Sequence, residues 1–219
     1  MTRIALIGGH GKIALQLERL LADSGQETSA FIRNPDHADD VRAAGAIPVI
    51  ADVEHLDVGA FAELLSGHDV VVWSAGAGGG NPDRTYAVDR DAAITSMDAA
   101  RRAGVRRYVM VSYFGAGPGH GVPADNGFFA YAQAKAAADA HLRATDLDWT
   151  ILGPGPLTND PATGSIDVGA AAAGGSVSRA DVAAVLAAVL DNPASVHRTI
   201  EFNNGRTPIA EAVSDLGNP

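Results

Sequence analysis

The sequence predicts an α/β protein built on a doubly wound parallel sheet, with a small C-terminal lobe. Apolar runs of strand length alternate with helical patterns, a glycine-rich turn follows the first run, and residues 69–74 form a continuous apolar run typical of a strand buried on both faces. Such alternation favours right-handed crossovers between parallel strands. The 219 residues suffice for one core but not for two full domains. We therefore expect a single domain over residues 1–219, in which residues 153–219 form a smaller lobe over the carboxyl edge of the sheet, on the substrate side.

The composition excludes several classes of function. A formal net charge of −10 argues against nonspecific binding to nucleic acid or to an anionic membrane. The absence of cysteine excludes disulfides, thiolate metal sites and a cysteine nucleophile, and the 7 histidines lack the short spacing of a metal site. No signal-peptide pattern and no apolar run of membrane-spanning length occurs. We expect a cytoplasmic protein that acts on a small molecule without a metal.

Residues 2–33 are predicted to form a strand, a tight turn, a helix and a second strand. Gly8 and Gly9 are expected to leave the first strand through dihedrals closed to other residues, and Gly11 to let the backbone approach a ligand. Ala14 allows the helix to pack closely on the strand, and the helix N-terminus presents its N–H groups to a pyrophosphate. This order of elements favours a dinucleotide site over a simple turn.

The end of the second strand indicates which dinucleotide binds. An NAD site needs a carboxylate there for the adenosine ribose, whereas the guanidinium of Arg33 can bind a 2′-phosphate through two hydrogen bonds. The sequence therefore predicts NADP. The nearby Asp36 keeps NAD as an alternative. Arg33 could also be a solvated side chain at a strand end that binds no cofactor.

The elements that follow continue the alternation of strands and helices. We expect helices at residues 35–44, 58–65, 83–103 and 128–144, and strands at 46–51, 69–74, 105–112 and 147–152. Gly104 is expected to stop the third of these helices, and the glycine and proline residues at 153–156 to stop the last strand. Beyond them we expect strands at 165–168 and 199–202, a serine-capped helix at 178–190 and a final helix at 208–216.

Two loops follow strand ends, where open α/β sheets bind ligands. The glycine-rich loop at 75–82 is expected to pass beside the cofactor at Ala75 and Gly76, its remainder being a flexible connector. The loop at 114–127, rich in glycine and proline, is expected to form a lid or a wall of the substrate pocket.

Tyr131 and Lys135 form the second informative motif. They are four residues apart on a predicted helix and therefore share one face. A neighbouring ammonium lowers the pKa of a tyrosine and makes it a usable general acid or base, and the lysine can also hold the nicotinamide ribose. Ser112, at the end of the preceding strand, would hydrogen-bond the substrate oxygen. A surface tyrosine beside a solvated lysine is the alternative, but the strand, serine, loop and helix occur in the order that this chemistry needs.

These motifs resemble the short-chain dehydrogenase/reductase superfamily, in its atypical NAD(P)-binding branch, which includes biliverdin-reductase-B-like and nitrogen-repression-regulator-like proteins. The resemblance covers nearly the whole chain and implies a Rossmann fold. The matching motifs are Ile7-Gly8-Gly9-His10-Gly11-Lys12-Ile13 and residues 31–35, 51–53, 103–112, 131–135, 148–152 and 178–183.

The resemblance assigns residues to both ends of the dinucleotide. It implies that the pyrophosphate lies on the glycine turn, the 2′-phosphate on Arg33, and the nicotinamide beside the catalytic residues. The implied catalytic residues are Ser112, Tyr131 and Lys135. The implied cofactor-binding residues include those of the glycine turn, Gly8, Gly9, His10, Gly11, Lys12 and Ile13, together with Arg33 and Lys135. The resemblance also places Asp52 and Val53 at the adenine, Ala75 and Gly76 at the adenosine ribose, and Pro154 and Gly155 at the carboxamide. Asp181 is implied to be structural.

We expect an NADP-dependent oxidoreductase that moves a hydride between the nicotinamide and a small carbonyl-type substrate. Gly153 departs from the family pattern, which usually has an arginine before the Pro-Gly pair. If that arginine orients substrate, this protein lacks it, so a non-catalytic NAD(P)-binding sensor or regulator is an alternative. A sugar-nucleotide epimerase or dehydratase, which uses the same three catalytic residues, is a further alternative. The sequence does not identify the substrate or the oligomeric state.

Overall fold

Strands and helices alternate along residues 1–217, the part of the chain that the computed structural model describes. The strands are β1 (Arg3–Ile7), β2 (Glu27–Ile32), β3 (Ile47–Ile50), β4 (Val70–Trp73), β5 (Arg107–Val111), β6 (Asp148–Pro154), β7 (Leu157–Thr158), β8 (Ser165–Val168), β9 (Val177–Ser178), β10 (Arg198–Asn204) and β11 (Thr207–Pro208). The helices are α1 (Ala14–Asp23), α2 (Ala38–Ala43), α3 (Val58–Leu65), α4 (Pro82–Thr85), α5 (Ala93–Ala103), α6 (Phe129–Ala144), α7 (Arg179–Leu190) and α8 (Ile209–Ser214).

Nine strands form one sheet in the order β11-β8-β10-β6-β5-β4-β1-β2-β3, and β7 pairs separately with β9. Strands β1 to β6 and β10 run parallel, whereas β8 is antiparallel to β10 and to β11. From β1 the chain adds β2 and β3 on one side, and then β4, β5 and β6 on the other. This reversal opens a crevice at the carboxyl ends of β1 and β4, and the predicted doubly wound fold is confirmed.

Two hydrophobic layers cover the sheet, and β1 contributes to both. Ile4 and Leu6 pack into a cluster with residues of α1, α7 and α8, whereas Ala5 and Ile7 pack into a cluster with residues of α3, α5 and α6. Alternate residues of a strand point to opposite faces, so a strand with helices on both faces is apolar throughout. The layers hold the carboxyl ends of the parallel strands at one edge.

Strand β6 is longer than predicted. It continues through Gly153 and Pro154, which pair with Glu201 and Phe202 of β10. The prediction that glycine and proline stop this strand at 152 is wrong, because pairing with β10 extends it. The two-residue strands β7, β9 and β11 were not predicted, since they are too short to carry a periodic pattern.

The predicted helix 83–103 consists of α4, a π-helical segment at Tyr86–Ala92 and α5. It ends where predicted, at Gly104, whose φ of 75° places it in the left-handed region. π-Helical turns are rare and are frequent at functional sites.

Within residues 1–217, no helix has the length and apolar character needed to cross a bilayer.

Candidate functional site

A groove of about 300 Å³ opens at the carboxyl ends of β1, β2 and β4. We call it the β1–β4 groove. It is lined by residues that the sequence assigned to the cofactor, namely Gly8, His10, Gly11, Arg33, Asp52, Val53, Ala75 and Gly76. Its other walls include Phe31, Ile32, Asn34, His37, Ala51, Glu54, Ser74, Arg84 and Val88. Of the remaining predicted residues, Gly9, Lys12 and Ile13 belong to the same turn but do not line the groove.

Gly8 and Gly9 are needed in the turn for different reasons. Gly8 has a φ of +87°, and a Cβ there would lie 2.6 Å from the Cα of Ala75. Gly9 has no such dihedral, but its Cβ would lie 2.6 Å from the Cβ of Ala30. The expectation that both glycines provide unusual dihedrals is therefore wrong for Gly9, which is limited by packing against β2.

The start of α1 suits an anionic ligand. Its N-cap residue is Ile13, and in the described part of the chain no side chain caps this helix. The N–H groups of Gly8 and Gly9 donate to the carbonyl of Phe31, which fixes the turn. An uncapped helix N-terminus beside a glycine turn is a ready site for phosphate groups. These residues fit the pyrophosphate of a dinucleotide.

Glu54 lies between two arginines in the β1–β4 groove. Its Oε2 is 3.7 Å from Nη1 of Arg33 and 3.5 Å from Nε of Arg84. Arg84 also donates from Nη1 to the carbonyl of Ala77 at 2.8 Å. Sequence reasoning identified Arg33 alone, because Glu54 and Arg84 belong to other elements and share no motif with it.

Two histidines complete this end of the groove. The rings of His10 and His37 are stacked, with centroids 3.6 Å apart. His10 also contacts Asp40, with 2.8 Å between Nε2 and Oδ2.

A second cavity of about 570 Å³ lies at the carboxyl ends of β5 and β6. We call it the aromatic cavity. Four predicted site residues line it, Ser112, Tyr131, Pro154 and Gly155, together with Tyr113, Phe114, Phe128, Pro156, Leu157 and Arg179. The ring centroids of Tyr113, Phe128 and Tyr131 lie 5.1 to 5.7 Å from one another. The cavity wall is therefore largely apolar, with the two predicted catalytic hydroxyls in it.

Ser112 is bonded to a carboxylate that the sequence analysis missed. Its Oγ donates to Oδ2 of Asp139 at 2.6 Å, and both side chains are buried. Asp139 follows Lys135 by four residues on α6, so the i, i+4 series from Tyr131 continues to it. That spacing was a usable signal in the sequence.

Lys135 is enclosed by protein. It is 1% exposed, its Nζ donates to the Sδ of Met110 at 3.7 Å, and it lines neither the groove nor the aromatic cavity. Burial lowers the pKa of Lys135, while the charges of Asp89 and Asp139 oppose that shift. The ammonium is therefore held among buried carboxylates, where it is not presented to a ribose.

The pKa of Tyr131 is raised, which is the opposite of what the sequence predicted. Burial is the largest cause, and the charges of Asp89 and Asp139 add to it. The Nζ of Lys135 lies 6.0 Å from the centroid of the Tyr131 ring. Burial and the neighbouring carboxylates therefore set the direction of this shift, and Lys135 does not reverse it.

Asp89 connects the buried charges to the glycine-rich loop. It lies in the π-helical segment and is 1% exposed, and its Oδ2 accepts from the N–H of Ala77 at 2.9 Å. A Cβ on Gly76 would lie 3.2 Å from Oδ1 of Asp89. Asp89 thereby fixes the loop where it lines the β1–β4 groove. The sequence carried no signal for this contact.

Gly153 is not among the residues that line the aromatic cavity. A Cβ there would lie 3.1 Å from Cγ of Glu201 and 3.2 Å from the carbonyl oxygen of Tyr113. Glu201 reaches past this point and accepts from the N–H of Gly115 at 2.7 Å. The residue that replaces the family arginine therefore makes room for a contact between β10 and the loop that follows β5.

Comparisons with known proteins agree with this geometry. A family profile described as NAD(P)H-binding matches residues 8–193. The Bacillus subtilis protein named uncharacterized sugar epimerase YhfK is 35% identical over 98% of this chain and 100% of its own. A Bacillus halodurans structure, provisionally named an NAD-dependent epimerase/dehydratase, is 33% identical with a TM-score of 0.91, covering 98% of this chain and 100% of that one. ChuY from Escherichia coli O157:H7, named an anaerobilin reductase, is 26% identical with a TM-score of 0.76, and the match covers 93% of this chain and 97% of that one.

Proposed function

This chain belongs to the NAD(P)H-binding family, as an atypical protein of the short-chain dehydrogenase/reductase type, and on this basis we propose that it is an NADP-dependent reductase. In this proposal a hydride passes from the nicotinamide to a small carbonyl-type substrate in the aromatic cavity.

The observation that carries this proposal is the position of two hydroxyl groups. Ser112 and Tyr131 both line the aromatic cavity, which opens at the same sheet edge as the β1–β4 groove. Ligands of doubly wound folds bind outside the carboxyl ends of the strands. A dinucleotide laid along this edge from the groove would bring its nicotinamide toward the two hydroxyls.

Tyr131 is the proton donor in this proposal. The bound dinucleotide would supply the hydride for the carbonyl carbon. Because the pKa of Tyr131 is raised, its hydroxyl stays protonated at neutral pH and can protonate the developing alkoxide on the substrate oxygen. The same shift leaves little phenolate at neutral pH, so the free enzyme holds Tyr131 in the protonated form that a reduction needs.

Asp139 is a positioning residue that acts through Ser112. When its carboxyl is ionised, it holds the Ser112 proton. Burial raises the pKa of Asp139, whereas the charge of Lys135 and the hydrogen bond from Ser112 oppose that shift, and this hydrogen bond holds the Ser112 hydroxyl in one orientation at the cavity wall.

The charges of the β1–β4 groove support NADP over NAD. Arg33 and Arg84 both contact the carboxylate of Glu54, so this trio carries a net positive charge, while the other carboxylate of the groove, Asp52, contacts His55. A 2′-phosphate would take the place of Glu54 as partner of Arg33, whereas NAD would leave the arginines without a phosphate.

The relatives' names suggest epimerisation as a rival function. An epimerisation that begins with oxidation of a sugar hydroxyl needs a base for its proton, and the raised pKa of Tyr131 opposes that role. Apart from Arg179, the residues that line the aromatic cavity are uncharged, which suits an apolar substrate better than a nucleotide-sugar with its diphosphate. A non-catalytic sensor would bind the dinucleotide but consume none.

The experiment measures the oxidation of NADPH and NADH by the full chain with a panel of aldehydes and ketones, and in parallel the conversion of UDP-sugars. Carbonyl-dependent oxidation of NADPH supports the reductase. Epimerised UDP-sugars without net NADPH consumption support the epimerase. Tight NADPH binding with neither reaction supports the sensor.

A further inference from the structure

We infer that the aromatic cavity takes substrates that carry a carboxylate, and that Arg179 binds this group. The inference rests on the proposed function for the cavity and extends it by naming the class of substrate, an aromatic or otherwise apolar carbonyl compound with an anionic end.

Arg179 is the charged residue of the cavity wall. The other lining residues are aromatic, aliphatic, glycine, proline or serine, and Ser112, Tyr113 and Tyr131 carry hydroxyls. The wall therefore offers hydroxyl groups to a carbonyl oxygen and one guanidinium to a second polar group. A protein with a formal net charge of −10 repels anions in general. Arg179 therefore gives the cavity a local preference for anionic groups that the rest of the surface lacks.

The guanidinium of Arg179 is held in place through one of its nitrogens. Nη1 donates to the carbonyls of Leu157 and Thr158 at 3.3 and 3.0 Å, and to Oδ1 of Asn159 at 3.0 Å. Within residues 1–217, Nη2 and Nε make no hydrogen bond to the protein and no carboxylate lies within 4.0 Å. Two donors on a fixed planar group match the two oxygens of a carboxylate.

The cavity size limits the rest of the substrate. About 570 Å³ lies within the range of small-molecule pockets and accommodates a body of one or two rings. The aromatic side chains of Tyr113, Phe128 and Tyr131 would stack against such rings. A two-ended substrate would place its carbonyl at Ser112 and Tyr131 and its carboxylate at Arg179.

The alternative is that Arg179 only ties β7 and Asn159 to the start of α7. In that case its three contacts through Nη1 are its whole role, and its charge does not affect ligand choice. Arg179→Gln keeps a hydrogen-bond donor for these oxygens and removes the charge. Arg179→Lys keeps the charge. Arg102→Gln makes the same charge change at an exposed position on α5 and serves as the control.

The test is calorimetric binding of two matched ketone pairs to the full chain, with and without NADP⁺. The pairs are 4-acetylbenzoate with 4-acetylbenzamide, and 6-acetyl-2-naphthoate with its amide. A carboxylate held by two charge-assisted hydrogen bonds should bind roughly 10- to 100-fold tighter than the amide. Arg179→Gln should abolish that ratio, Arg179→Lys should retain part of it, and Arg102→Gln should leave it unchanged.

Three results would overturn the inference: equal binding of acid and amide, a ratio that survives in Arg179→Gln, or no binding of any of the four ketones. The binding assay is separate from turnover. Selective binding of the carboxylates without NADPH oxidation would contradict the reductase proposal and support the carboxylate site. Reduction of ketones with no preference for the acids would support the reductase and contradict the carboxylate site.

Discussion

The hydroxyl of Ser112 donates to Oδ2 of Asp139 at 2.6 Å, so a buried carboxyl group stands directly behind a predicted catalytic serine. Asp139 also affects Tyr131 and Lys135, since its charge raises the pKa of both. The chemistry of the aromatic cavity therefore depends on a residue that does not line it.

Replacing Asp139 by asparagine should change the pH profile of reduction. Asparagine can still accept from Ser112, but it removes a negative charge that raises the pKa of Tyr131. In the wild type kcat should hold to high pH because Tyr131 stays protonated. In Asp139→Asn the alkaline loss of kcat should begin roughly one pH unit lower. The exposed Asp191→Asn is the control, and coincident profiles for all three proteins would contradict the assignment.

Replacing Glu54 should tighten NADPH binding. Its carboxylate competes with a 2′-phosphate for Arg33 and repels it. Glu54→Gln should lower the Kd for NADPH roughly 3- to 10-fold and change the Kd for NADH less, whereas Arg33→Ala should remove the preference for NADPH. The exposed Glu63→Gln should change neither constant. If Glu54→Gln tightens NADH alone, Glu54 does not act on a phosphate.

Glu18 should make stability depend on pH above pH 5. It is buried on α1, neither of its oxygens has a hydrogen-bond partner among residues 1–217, and burial raises its pKa from 4.5 to about 8. The folded state thus favours the protonated acid, so this contribution is fully present below pH 4.5 and is lost as pH rises toward 8. Relative to acidic pH, the free energy of unfolding at pH 7 is lower by about 3 kcal/mol because of Glu18.

Urea unfolding at pH 5, 6.5 and 8 tests this dependence. Glu18→Gln cannot ionise, so its free energy of unfolding should exceed that of the wild type increasingly from pH 5 to 8. Glu63→Gln, on the exposed face of α3, should follow the wild type. Parallel curves for Glu18→Gln and the wild type would show that Glu18 is not held in its protonated form.

Asp181 should be a stabilising residue of the C-terminal segment. It accepts from the N–H groups of Thr163 and Gly164 and from the side chains of Ser178 and Asn204. Burial opposes its ionisation, but these hydrogen bonds outweigh burial and lower its pKa. Asp181→Ala should cost about 2–4 kcal/mol of unfolding free energy at pH 7, against a negligible loss for the exposed Asp160→Ala.

The contribution of Asp181 to stability changes with pH in the opposite direction to that of Glu18. Because its folded pKa is lowered, its contribution is present above the ordinary value of 3.8 and is lost as pH falls through the lowered pKa. The stability gap between wild type and Asp181→Ala should therefore narrow in acid. A gap that stays constant down to pH 2 would mean that charge on Asp181 is irrelevant.

The sequence predicted the parts of the fold that local pattern controls. The apolar runs of β1 and β4, the helix α3 and the stop at Gly104 all follow from residue periodicity and backbone freedom. The length of β6 did not, because its last residues are held by β10, almost fifty residues later. Pairing across such a separation leaves no local signal.

In the candidate site, too, local motifs predicted some features, whereas others depend on residues that are distant in sequence. The glycine turn, Ser112 and Tyr131 could be named from motifs, since each lies at a strand end or on one helix face. The raised pKa of Tyr131 could not, because it depends on burial and on Asp89, which the π-helical segment brings in from another element. Glu54 and Arg179 likewise became visible only through the residues beside them.

The most direct test of the reductase is the comparison of wild type with Tyr131→Phe. For both proteins, NADPH binding and the turnover of the best carbonyl substrate from the panel would be measured on the same preparation. The phenyl ring keeps the packing with Tyr113 and Phe128 and removes the proton, so the Kd for NADPH should stay within about twofold while kcat falls at least ~100-fold. Unchanged kcat in Tyr131→Phe would contradict the account.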